Sequence, residues 1–348
     1  MHKPDANFWK NKRVLITGHT GFIGGWMSRV LIRLGAKVSG YALAPNTEPN
    51  LFETLKFSGS NIGDIEDDKK LSALLKTLAP EIVIHLAAQP IVSAAFYDPV
   101  ESFRVNVMGT ARLLHLLREV PSVQSILTFT TDKVYDNQEQ GRAFTETDPL
   151  GGKGIYDASK AAQDILLQSF YYSYFEKLGM AWIRAGNVIG GGDWGASRIV
   201  PDAVRAFSKN VALTLRAPQA IRPWQHVLEP VMFTLGLAEK LGRDPKTYSG
   251  PWNVGPNSES EVTVHVLAEV MRRMWSDKAR VEIDKAAASV PESQVLRLNI
   301  EKAKNQLNWN PKWDFDATIV RTVFWYQAYY RGDNMLQVTD AQIDDYMS

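Results

Sequence analysis

Cysteine does not occur among the 348 residues, which excludes disulfides, thiolate metal sites and a cysteine nucleophile together. An excess of charge of either sign is also missing: 39 Lys and Arg stand against 38 Asp and Glu. So even a balance gives no long-range attraction to a nucleic acid or an anionic membrane, and neither partner is expected. No stretch approaches the roughly 20 consecutive apolar residues of a membrane span. Residues 1–13 are polar and charged and lack a signal-peptide core, so a soluble cytoplasmic protein is expected. The six histidines show no metal-ligand spacing, and no metal is expected. Internal repeats and low-complexity segments are absent. What is present is a 45% hydrophobic chain, long enough for one large domain or two smaller ones.

The first half alternates short β-branched runs with helical patterns. Arg13-Val14-Leu15-Ile16-Thr17 reads as a buried strand that runs into a glycine cluster. A helix should follow with Ile23, Met27, Val30, Leu31 and Leu34 on one face, the 3.6-residue period of a core-facing helix. Further strands are expected over residues 37–42, 81–87, 125–130 and 181–184, with long helices over 99–119 and 155–178. Near-continuous apolar strands alternating with helices predict an α/β fold, a doubly wound parallel (Rossmann) sheet covered on both faces. Residues 1–186 should form the dinucleotide-binding domain, with a return of about 227–254 to the sheet. Residues 187–348 should form mainly a smaller, C-terminal substrate-binding region.

Gly18-His19-Thr20-Gly21-Phe22-Ile23-Gly24-Gly25 lies between the first strand and the first long helix, where a dinucleotide fingerprint belongs. Glycine there permits a tight turn and close backbone approach to a pyrophosphate, and the helix start offers free N–H groups. Three spaced glycines alone fit an ordinary turn; the strand before and the periodic helix after favour the cofactor. The ribose-binding acid expected about twenty positions later is missing, so this position does not separate NAD from NADP. Asp64-Ile65 is placed to meet an adenine ring, or is simply an acidic loop residue beside an apolar one.

Tyr156 and Lys160 are four apart on an expected helix and share one face. A phenol becomes a base at neutral pH only with help, such as a nearby ammonium and a positive nicotinamide ring. Upstream, Thr131-Asp132-Lys133 follows a strand at its carboxyl end, where doubly wound sheets place their sites. A hydroxyl, a carboxyl and an ammonium there could hold a sugar hydroxyl and move two protons. The plainer alternative is an Asp that caps a turn and a Lys in solvent. His85 is expected to satisfy packing or backbone needs, and Asn106 to face solvent or to bond a backbone group near the site.

The glycine turn, His85-Leu86-Ala87-Ala88 and the Tyr156/Lys160 pair resemble the extended short-chain dehydrogenases/reductases. Longer segments sharpen the likeness: Pro49-Asn50-Leu51-Phe52-Glu53, Asn106-Val107-Met108-Gly109-Thr110, Arg184-Ala185-Gly186-Asn187-Val188-Ile189-Gly190-Gly191-Gly192-Asp193-Trp194 and Arg222-Pro223-Trp224-Gln225-His226-Val227-Leu228-Glu229-Pro230. Within the NAD-dependent epimerase/dehydratase group these are similar to the CDP-glucose 4,6-dehydratases over nearly the whole chain. The resemblance implies NAD held by Gly18, Thr20, Gly21, Phe22, Ile23, Gly24, Asp64, Ile65, Leu86, Ala87, Ala88, Asn106, Tyr156 and Lys160. It implies a nucleotide-sugar substrate met by Gln89, Asn187, Arg198, Arg222 and His226.

The implied reaction has three stages. Tyr156, supported by Lys160, takes the 4-hydroxyl proton while Thr131 bonds the 4-oxygen and C4 is oxidised. Asp132 then acts as the acid toward the departing 6-hydroxyl. Lys133 acts as base at C5, given surroundings that favour its free amine. Hydride returning to C6 yields a 4-keto-6-deoxy sugar. A homodimer or higher homo-oligomer through the two long helices is a further family-level expectation. The chain departs from the family pattern at Ile23 (Lys elsewhere), Ser93 (Arg), Ala95 (Ser), Pro291-Glu292-Ser293 and Lys153-Gly154-Ile155, changes that bear on substrate identity. Rival readings are a nucleotide-sugar 4-epimerase, an NADP-dependent sugar reductase, and a cofactor-sensing binding protein that has lost the chemistry. The first needs no acid and base at C5 and C6, and the last would be expected to lose Tyr156 or Lys160.

Overall fold

The computed structural model describes residues 3–284 and 293–348; the departure at Pro291 and Glu292 lies outside them. Six strands, β1 (Arg13–Thr17), β2 (Lys37–Ala42), β3 (Ser60–Ile62), β4 (Ile82–His85), β5 (Ser125–Phe129) and β6 (Gly179–Ala185), line up in parallel. Their order is β6-β5-β4-β1-β2-β3. The chain winds outward from β1 to β3, then crosses back to β4, so a crevice opens between the carboxyl ends of β1 and β4. Every residue of β4, β5 and β6 is buried, as helices on both faces require. Alternate side chains feed two cores: Val14, Ile16 and Ile84 enter one, Leu15, Val83 and Ile126 the other.

Beyond β6 the chain leaves the sheet in β7 (Asn187–Ile189), β8 (Ala212–Leu215) and β9 (Ile221–His226). It returns as β10 (Gly250–Val254), the parallel edge strand beside β6. Between them the helix Leu228–Leu241 is buried almost all round, the pattern of a helix packed on more than one side. β11 (Glu261–Thr263) pairs with β9, and β12 (Arg280–Ile283) with β8.

The helix read over 99–119 is interrupted. A π-helical turn, Arg104–Gly109, joins Pro99–Phe103 to Thr110–Leu117. Its extra residue goes with buried Asn106, which turns inward to the Gln89 backbone, and π turns recur beside functional sites. The helix read over 155–178 is regular for Ile155–Phe170 and then also passes into a π turn, Tyr171–Phe175.

Candidate active site

Residues following the carboxyl ends of β1, β4, β5 and β6 line one cleft of 1360 Å³. On its first wall the glycine turn is a cradle that side chains would fill. Gly18 has φ +77°, and a Cβ there would lie 2.7 Å from the Ala87 nitrogen. At Gly24 a Cβ would lie 2.2 Å from the Gly18 carbonyl oxygen. The helix Phe22–Arg33 starts here without an acidic residue in its first turn, leaving its N–H groups and positive dipole end to an anion. These features fit a dinucleotide pyrophosphate. Thr20, Gly21, Phe22 and Ile23 line the same wall, with Asp64, Ile65, Leu86, Ala87 and Ala88 around it. The Thr20 hydroxyl donates to the Leu43 carbonyl, 3.0 Å. Asp64 Oδ1 accepts the Glu66 N–H, 3.0 Å, so one carboxylate oxygen holds its own turn. His19 faces inward, pairs with Ser60 at 2.7 Å and packs over Gly40, where a Cβ would strike its ring. Burial pulls its pKa down to about 4.

The catalytic candidates Thr131, Asp132, Lys133, Tyr156 and Lys160 line the same cleft. Thr131, not Asp132, caps the turn Asp132–Val134, and its hydroxyl donates to Asp132 Oδ1 at 3.0 Å. Asp132 is 3% exposed, and its Oδ2 has no partner. A buried carboxylate oxygen without a donor resists ionisation. Burial accordingly raises the Asp132 pKa, against the pull of Lys133, Thr131 and Arg222. Tyr156 and Lys160 face the cleft from the helix Ile155–Phe170. Lys160 Nζ donates to the Phe129 carbonyl at 3.0 Å and to Gln163 Oε1 at 2.7 Å. Burial lowers its pKa to about 7, with Asp164 opposing. Burial pushes the Tyr156 phenol up; Arg198 and the Thr131 hydroxyl oppose this, and Asp132 and Asp157 reinforce it. Arg198 is therefore a further cation acting on the phenol, one that the Tyr156–Lys160 spacing did not point to.

Arg198 Nη1 lies 3.1 Å from both carboxylate oxygens of Asp193, whose carbonyl accepts the Tyr326 hydroxyl at 2.5 Å. Arg222 donates to the Ile221 carbonyl at 2.9 Å and also lines the cleft, as do Asn187 and Lys133.

Three expected ligands are not among the cleft-lining residues. The Gln89 side chain accepts the Ile91 N–H at 3.1 Å. Asn106 is buried behind it, bonded to the Gln89 backbone and to Ser159. His226 is fully buried between Trp26 and Trp313 and accepts the Leu228 N–H at 3.2 Å. An aromatic cage and a helix start claim this histidine, so it acts in packing. His85 bonds hydroxyls instead of backbone: Thr17 at 2.6 Å and Thr110 at 2.9 Å.

Sequence reading missed Asp193, Asp157 and Gln163. Asp193 was visible only as part of a glycine-rich segment, and its pairing with Arg198 five residues on depends on the loop. Gln163 carried a signal: Tyr156, Ser159, Lys160 and Gln163 follow i, i+3, i+4, i+7 spacing, one polar stripe on a helix face turned to the sheet.

Comparison with known proteins places the chain. The GDP-mannose 4,6 dehydratase family model matches residues 15–322. The CDP-glucose 4,6-dehydratase of Salmonella typhimurium is 41% identical, over 99% of this chain and 98% of that protein. Among solved structures, an epimerase, Mth375, of Methanothermobacter thermautotrophicus superposes with a TM-score of 0.83 at 21% identity, over 94% of this chain and 95% of that one. A dTDP-glucose 4,6-dehydratase of Bacillus anthracis in complex with NAD gives 0.73 at 23% identity, covering 93% and 99%. The chain belongs to the GDP-mannose 4,6-dehydratase family and has a Rossmann-type fold. No helix among the described residues is long and apolar enough to cross a membrane.

Proposed function

We propose that the protein is a cytoplasmic, NAD-dependent lyase that converts CDP-D-glucose to CDP-4-dehydro-6-deoxy-D-glucose. The observation that carries this is a buried carboxyl, Asp132, with one oxygen unpartnered, beside Lys133 in the cleft that also holds Tyr156 and the glycine cradle. A 4-epimerase would have no use for that acid and base. Residues 1–186 with β10 would serve mainly the cofactor and 187–348 mainly the sugar nucleotide. Gly18, Thr20, Gly21, Phe22, Ile23, Gly24, Asp64, Ile65, Leu86, Ala87 and Ala88 would hold the NAD. When bound, NAD supplies a hydride acceptor at C4, a donor at C6 and a positive ring charge.

The chain's own groups supply the rest. Tyr156 takes the 4-hydroxyl proton while Thr131 bonds the 4-oxygen. A 4-ketone acidifies H5, and Lys133 removes that proton. Asp132, kept protonated more readily by its burial, gives a proton to the leaving 6-hydroxyl. Arg198 and Arg222 offer guanidinium forks to the diphosphate, with Asn187 beside them. Exposed Val100, Met108, Ile165, Tyr172 and Tyr174 on the two long helical segments support a homodimer formed through them.

The test is turnover of CDP-, dTDP-, UDP- and GDP-sugars, read by product mass. CDP-glucose should lose one water with the highest kcat/KM, and deuterium at C4 should reappear at C6 without net reduction of cofactor. Comparable kcat/KM across the panel would overturn the assignment of the nucleotide. Deuterium at C6 drawn only from solvent would overturn internal hydride return.

A further inference from the structure

A lysine ammonium is a point charge on a flexible stem, yet Lys160 is fixed from behind by a chain of buried side chains. The Lys160 ammonium has only donors, so the Gln163 amide turns its carbonyl oxygen toward it, at 2.7 Å. The amide nitrogen is thereby left to donate to Thr110 Oγ1, at 2.8 Å. Thr110 donates to the Asn106 carbonyl at 2.7 Å and contacts His85 Nε2 at 2.9 Å. Thr17 Oγ1 accepts the N–H groups of Leu86 and Ala87, both at 3.2 Å, so its own proton goes to His85 Nδ1 at 2.6 Å. His85 is then the neutral tautomer with its proton on Nε2, directed at Thr110. Every link has one allowed direction, and Thr17, His85, Thr110, Gln163 and Lys160 are each at most 3% exposed. With the Phe129 carbonyl taking a second ammonium proton, Lys160 keeps one N–H for the cleft.

We propose that Gln163 is a positioning residue: it aims the Lys160 ammonium into the cleft and ties it, through Thr110, His85 and Thr17, to the Leu86-Ala87 backbone. The proposal rests on the reading that Tyr156 and Lys160 serve the C4 oxidation. A chain satisfied in one direction orients; it does not carry protons.

Two variants test it. Gln163→Met keeps the length and removes both polar atoms; Gln163→Glu keeps the acceptor and adds a negative charge. The charged and titratable groups around Lys160 are Asp164 on its own helix, paired with Arg184 of β6, His85 of β4, Tyr156 one turn earlier, and Asp132 and Lys133 after β5. Gln163→Met should lower kcat on CDP-glucose about tenfold or more, the size of one lost charge-assisted hydrogen bond, with KM for the sugar changed less than about twofold. The alkaline limb of its kcat–pH profile should move to lower pH, because the ammonium loses an acceptor. Gln163→Glu should move that limb to higher pH, an opposite shift that loss of packing does not produce, so it decides alone if Gln163→Met does not fold. Wild-type kcat with an unmoved pH profile in the variants would overturn the proposal. A wild-type enzyme that does not turn over the sugar would overturn the dehydratase reading instead.

Discussion

Replacing Asp132 by Asn separates what this residue does for the reaction from what it does to the fold. The carboxyl is 3% exposed, accepts one hydrogen bond from Thr131, and leaves Oδ2 without a partner. An amide keeps the Thr131 bond and the shape but has no proton to give. Water loss should slow by roughly 10²- to 10⁴-fold, the range for a removed general acid, while the C4 oxidation, which relies on Tyr156, still runs. The reaction should stall with reduced cofactor and a 4-keto sugar that retains its 6-hydroxyl; Tyr156→Phe should show no reduction at all. Stability should move the other way. The folded pKa of Asp132 is raised by burial. Its stabilising share is therefore full below the unfolded value and is lost as pH rises through the folded one. Ionising this buried carboxyl is a net cost, and an unpartnered amide costs less than an unpartnered carboxylate. The variant should gain about 0.5–2 kcal/mol near neutrality, typical of relieved active-site strain, and lose that advantage on acidification. Melting curves against pH, with absorbance of reduced nicotinamide and product mass, give both halves. Dehydrated product at close to the wild-type rate would show that Asp132 is not the acid. A variant destabilised equally at every pH would restore a plain structural role.

Two further outcomes follow from buried charge. Asp164 and Arg184 form a pair at 2.7 Å with side chains 1% and 4% exposed. Asp164→Ala strands the guanidinium and should cost about 3–5 kcal/mol in denaturant unfolding; a loss below about 1 kcal/mol would show the pair to be dispensable. Glu229 accepts from Lys312 N, Trp313 N and the Tyr346 hydroxyl, and burial pushes its pKa up to about 7. The stability it lends is therefore lost as pH rises through neutrality. Glu229→Gln should flatten the pH dependence of unfolding between about pH 5 and pH 8, and an unchanged slope would refute the assignment.

Much of this was written in the residues. The parallel sheet was legible because β1, β4, β5 and β6 each carry an apolar run, Val14-Leu15-Ile16, Ile82-Val83-Ile84, Ile126-Leu127 and Met180-Ala181-Trp182-Ile183, as burial on both faces demands. The glycine cradle was legible because Gly18 and Gly24 sit at a strand end and a helix start. Less legible was anything set by contact between distant segments. His226 lies in a motif rich in polar residues and looked like a ligand, but Trp26, far away in sequence, closes over it. Asn106 and Gln89 read as site residues through the family resemblance; the π turn brings the Asn106 side chain to the Gln89 backbone instead.

The same limit explains the phenol. Spacing put Lys160 on the face of Tyr156, and an ammonium one turn away is the natural partner for a phenolate. Spacing carries no information on where the ammonium protons go, and two of them go to Phe129 and Gln163. The charge that opposes burial of the phenol comes from Arg198, at the start of the helix Ile199–Ser208, beyond the sixth strand. Arg198 is set by Asp193, and the Asp193 backbone by Tyr326 near the end of the chain. The helix Ile155–Phe170 thus supplies the phenol and the lysine, while segments beyond the sixth strand supply a charge that opposes the effect of burial on the phenol. The setting of Tyr156 thus includes groups far from it in sequence, which is why it was not visible in the Tyr-x-x-x-Lys motif that contains it.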